Sequence, residues 1–294
     1  TMGETLAVAP FMLRLRADLP KHIGEFDDHH VAHVSELYEE ARDVLPEYAV
    51  YVPLAAMNRL AAPWQILRLA RKLAGFGNDA ALSRSGLVEL GEIFLGEMEE
   101  IAGGFEKLRP GKSNLTQMTQ DVTRFAEISQ GFIGEIDIRR VSDWGHRILA
   151  ARAKLSAAIT EEMSRFQQDL GKALPLHQVG TYGKNGPRRP DVTHGPDNER
   201  VARAISELQF IAGIASSAES IGVQAHSRTI TQQIETYLVA YEDGLIEEIR
   251  RSKGDERDNA LVFLDIVIDF RETMGETAAA ETLRRRGRVA AQAA

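Results

Sequence analysis

Residues 142–170, SDWGHRILAARAKLSAAITEEMSRFQQDL, decide the fold class. Ile148, Ala151, Leu155, Ile159, Met163, Phe166 and Leu170 recur every three or four residues, which sets them on one stripe of an α-helix. A stripe held on one side over so many turns is what antiparallel packing against neighbouring helices requires.

The same spacing returns on both sides of this stretch. Upstream, Val31, Val34, Tyr38, Ala41 and Leu45 share a face before Pro46 stops the helix. Pro53 and Pro63 stand like first-turn prolines of two short helices, the second carrying Ile66, Leu67, Ala70 and Leu73 until Gly75 and Gly77. After the cap signal Asn78-Asp79, Leu87, Leu90, Phe94, Met98, Ile101, Phe105 and Leu108 step along one helix to Pro110-Gly111. Asn114 and Gln117 have capping-box form ahead of Met118, Val122, Phe125, Ile128, Phe132 and Ile136.

Downstream, one helix carries Val201, Ile205, Leu208 and Ile211, and the small residues around Gly213 allow close helix approach. The next carries Ile230, Ile234, Tyr237, Tyr241, Leu245 and Ile249 and stops at Lys253-Gly254. An apolar helix over 256–274 and a shorter one through Leu283 follow, with residues 284–294 read as a solvated, arginine-rich tail. The pattern predicts an all-α fold, a multi-helix antiparallel bundle with long helices and one long irregular loop. An N-terminal helical region over 1–110 and a C-terminal bundle over 111–294, interrupted by the loop 172–199, are expected, or one continuous domain.

Composition narrows the function classes. The 294 residues contain no cysteine, which removes disulfides, thiolate metal sites and cysteine nucleophiles, and fits a reducing, cytoplasmic setting. A formal charge of −8 argues against general nucleic-acid binding. No basic and apolar leader opens the chain, and its most apolar stretch, 260–270, is broken by Asp265 and Asp269, so no membrane span is expected.

Two stretches invite a chemical reading. His29 and His33 fall four apart on a helix with Glu36 on the same strip, so imidazole and carboxylate could converge on a metal ion; the strip lies away from the apolar face, however, and an outward-facing acidic helix start is the simpler explanation. His30 reads as a boundary histidine bonded to Asp27. Residues 177–190 carry Gly180, Gly183 and Gly186 among Lys184, Arg188 and Arg189, with no acidic residue between Asp169 and Asp191. Together with His177 and His194 they could seat a phosphate- or nucleotide-type anion, or simply form a charged tether between helices.

Other motifs stop short. Neither His-Glu-x-x-His nor Glu-x-x-His occurs, which removes the zinc-protease and the usual di-iron ligand patterns. Gly111-Lys112-Ser113 resembles the end of a phosphate-binding loop, but the first glycine of that motif falls at Glu106. His146 and His226 read as surface or capping histidines, and Asp265, Asp269 and Glu272 as a solvated helix face. The leading expectation is a non-catalytic protein that works through a protein partner or a homo-oligomer; the alternative is an anion-binding protein or enzyme using the basic loop.

Overall fold

Capping side chains sit at helix starts that the sequence marks. Asp27 accepts the N–H of His30 at 2.9 Å, Asn114 accepts that of Gln117 at 3.2 Å, and Asp197 accepts those of Glu199 and Arg200. Each occupies backbone donors that the first helical turn leaves without partners. The structure, a computed structural model, describes residues 8–75, 82, 86–107, 114–178 and 188–293. Its α-helices with described bounds are α1 (Ala9–Asp18), α2 (Asp28–Val44), α3 (Tyr51–Met57), α4 (Leu67–Ala74), α5 (Val88–Glu106), α6 (Leu115–Glu135), α7 (Asp143–Ala173), α8 (Asn198–Gly213), α9 (Gln224–Arg251), α10 (Asp255–Thr273) and α11 (Thr277–Gln292). Only two short strands, β1 (Leu176–Gln178) and β2 (Arg188–Pro190), accompany them among the described residues. The fold is an all-α multi-helix bundle, and the whole stripe from Ile148 to Leu170 is buried.

The chain divides into two compact units. One contains Thr1–Glu106 with Arg124–Leu155. There α2 packs on α1, α3 and α4, burying Val31, Val34, Leu37, Tyr38 and Ala41. Arginines tie this unit together: Arg68 donates to the Phe26 carbonyl at 3.0 Å and to Glu135 at 2.9 Å, while Arg147 reaches Glu92 at 2.7 Å and Glu99 at 2.8 Å. α1 itself shows little stripe, with Leu15 its only buried helical residue, so periodicity alone does not reveal it.

The other unit contains Lys107–Thr123 with Ser156–Ala294. Here α9, α10 and α11 pack against one another, and α8 packs on α10. The buried Arg271 of α10 bonds to Glu242 of α9 at 2.7 Å, and also to Glu235 and Glu276. At the end of α8, a methyl group on Gly213 would lie 2.7 Å from Thr119, so the close approach foreseen for this small-residue segment occurs against α6.

Two expectations change. The stretch from Arg284 is not a solvated tail: α11 runs on to Gln292, burying Ala280, Leu283, Gly287 and Ala290 at helical spacing. Its arginines find carboxylates, Arg284 on Glu272 and Arg286 on Asp243, each at 2.5 Å. The loop 172–199 is not wholly irregular either, because β1 and β2 form an antiparallel hairpin. Contacts distant in sequence hold it. Pro190 lies on Gly244 of α9, where a Cβ would come within 2.5 Å of the proline ring. Asn259 of α10 donates to the Val192 carbonyl at 3.0 Å, and Tyr237 of α9 to the Leu174 carbonyl at 2.5 Å. The residues Gly77, Asn78, Asp79 and Gly111-Lys112-Ser113 lie outside the described residues.

Candidate functional site

The hairpin shows how its basic residues are deployed. Leu176 pairs with Pro190, His177 with Arg189 and Gln178 with Arg188. Side chains alternate along a strand, so Arg188 and Arg189 point to opposite faces. The Arg189 guanidinium lies 3.8 Å from Glu248 and 4.0 Å from Glu247 of α9. Arg188 and His194 are exposed, and Lys184 lies outside the described residues. His177 is brought beside Arg189, and its Nδ1 is buried without a hydrogen-bond partner. The Thr193 hydroxyl, donating at 2.5 Å, holds the neighbouring Asp191 below the usual carboxylate range, with His177 and His194 adding to the effect.

The histidine strip on α2 is dispersed. His29 and Glu36 are exposed, His33 lies 3.4 Å from Asp18, and His30 lies 2.7 Å from Asp27. No group of three or more histidine or carboxylate side chains able to hold a metal ion occurs among the described residues.

A different place gathers polar chemistry. Along α8, Arg203, Ser206, Glu207 and Phe210 recur at helical spacing and face a cavity of about 660 Å³. Asn114, Leu115, Thr116, Thr119 and Gln120, at the start of α6, line it as well, with Glu162 from α7. Arg203 organises the charges: its Nε donates to Glu207 Oε1 at 2.9 Å, and it lies 3.1 Å from Asp169 of α7. Glu162 is buried and engages Arg165 at 3.2 Å. The hydroxyls of Thr119 and Ser206 donate to carbonyls of their own helices, Leu115 and Ala202, at 2.9 Å each, so neither is set up as a nucleophile against Glu207.

Glu207 is the singular member of this group. It is 3% exposed, and its Oε2 is buried with no hydrogen-bond partner. Burial disfavours the ionised carboxylate, and Asp169 and Glu162 add like charge, so the group is pushed up to about 7 although Arg203 pulls the other way. A carboxyl poised near neutrality beside a cavity is a mark of functional sites. In the sequence, Arg203 and Glu207 look like an ordinary exposed pair four residues apart on a helix. Its cavity neighbours and the like charges beside it come from α6 and α7, distant in sequence.

The proton on Glu207 has a stability consequence. The folded chain holds it up to about pH 7, whereas an unfolded glutamate releases it near 4.5. Between those values the folded state binds more protons, so the contribution of Glu207 to stability falls as pH rises through the window. Glu207→Gln removes the buried charge. The melting temperature of the variant minus that of the wild type should therefore grow from pH 5 to pH 8, by about 3 °C or more if 1 kcal/mol shifts Tm by about 2–4 °C. Calorimetry at the two pH values checks this, and a constant difference would contradict it. No protein-family model, curated protein or solved structure matches this chain.

Proposed function

We propose that this chain is a non-catalytic binding protein whose ligand seat is the cavity walled by α8, the start of α6 and Glu162. The observation that carries this reading is Glu207, a carboxyl with one oxygen bonded to Arg203 and the other buried without a partner at the edge of a cavity. Leaving such an atom unmatched costs about 1–3 kcal/mol, a cost that a ligand donor can offset. The cavity volume falls within the range of small-molecule pockets, about 300–1,000 Å³, and the amides of Asn114, Gln120 and Gln209 supply further hydrogen-bonding groups. Ligand-observed NMR with a library of polar small molecules tests the reading. Hits should bind the wild type and be lost in Ser206→Trp, which fills the cavity from an exposed position on α8. A library with no compound sensitive to that variant would defeat it.

Protein–protein interaction, including self-association, is supported by a separate feature. Val8, Met12, Leu13, Tyr51, Leu54 and Ala55 line a mainly apolar groove of about 500 Å³ between α1 and α3, where Leu13 is 65% and Tyr51 44% exposed. If a second copy of the chain covers it, sedimentation velocity should show dimers that Leu13→Glu disperses. A wild type that stays monomeric up to high micromolar concentration would overturn self-association.

A further inference from the structure

The charges around the cavity select among ligand classes, on the premise that it is a binding site. Its charged lining consists of the carboxylates Glu162 and Glu207 and the guanidinium of Arg203. Arg203 already spends hydrogen bonds on Glu207 and lies against Asp169, and Asp169 is also engaged by Lys172 at 2.7 Å. The cation of the cavity is thus committed to protein carboxylates, while Glu207 Oε2 accepts nothing. With Glu207 ionised, what the site lacks is a donor with positive charge, not an acceptor.

We infer that the cavity receives a small organic cation, an ammonium or guanidinium group on a polar body, whose N–H donors complete the hydrogen bonding of Glu207. The polar body meets Asn114, Thr116, Gln120 and Gln209, which can both donate and accept, beside the buried Phe210. Charge-assisted bonds from ammonium or guanidinium to a carboxylate are about twice as strong as neutral ones.

This choice of ligand carries a pH signature. The groups that act on Glu207 are Arg203 on its own helix, with Asp169 and Glu162 on α7. Those two acids are in turn met by Lys172 and Arg165, and Arg165 also bonds to Glu161. The start of α6 brings only uncharged side chains to the cavity, and α10, which also packs on α8, supplies none of the strongest influences. A cation and a proton therefore compete for one carboxylate that changes charge near pH 7. Cation affinity should be about tenfold weaker at pH 6 than at pH 8.

Isothermal titration calorimetry of the full chain with Nα-acetyl-argininamide and 2-amino-1,3-propanediol, compared with erythritol and succinate, tests the inference. Cation binding that weakens about tenfold on acidification, and falls at least tenfold in Glu207→Gln and in Ser206→Trp, is the expected result. Melting curves establish that both variants are folded. Undiminished cation binding by folded Glu207→Gln, or cation affinity independent of pH, overturns it. Binding of succinate or erythritol that Ser206→Trp abolishes, without cation binding, overturns the cation class while leaving the cavity a ligand site. Binding by none of the four probes overturns the cation assignment, and the broader library screen then decides whether the cavity binds anything.

Discussion

Arg271 carries a full positive charge into the packing of α9, α10 and α11, where it is 2% exposed and met by Glu235, Glu242 and Glu276. An isolated buried guanidinium is costly, so these helices are constrained to an alignment in which the three carboxylates reach it together. Glu242 comes from the middle of α9 and Glu276 from the residue before α11, which ties both neighbours to the C-terminal end of α10. Burial pushes Glu242 up even with Arg271 beside it, a sign of how little water enters. Other elements of the unit build on these helices: α8 packs on α10, and the hairpin is anchored to Gly244 on α9 and Asn259 on α10.

The polar group at the cavity inverts that arrangement. Around Arg271 three carboxylates serve one cation. Around Glu207 one guanidinium is shared among carboxylates, and Oε2 is left over. Buried polar atoms are normally matched, so an unmatched one beside a cavity is informative where a satisfied network is structural. Position reinforces the contrast. Arg271 lies within the helix packing, whereas Glu207 belongs to the face of α8 that Ser206 and Gln209 open to solvent.

The helices were legible in the sequence to the extent that burial follows period. The stripes on α7 and α9 need only the three- and four-residue recurrence of Leu, Ile, Phe and Tyr, and the caps at Asp27 and Asn114 are local signals. The half of α11 beyond Leu283 escaped because its stripe continues on small residues, Gly287 and Ala290, under a conspicuous run of arginines. The hairpin escaped because three-residue strands cannot display alternation and their anchors lie more than fifty residues away. Glu207 is the hardest case. Nothing within α8 distinguishes a solvated i,i+4 pair from a buried one, and Asn114, Thr119 and Glu162 have to arrive from other helices before its environment exists.

The central claim is that the fold takes one carboxyl out of water beside a cavity and leaves it a single strong partner. Titration of the side-chain carboxyl ¹³C resonance of Glu207, assigned by its disappearance in Glu207→Gln, measures this directly. A midpoint near pH 7 is the value expected from the burial and neighbours of this group, and a midpoint near 4.5, that of a solvated glutamate, would contradict the account.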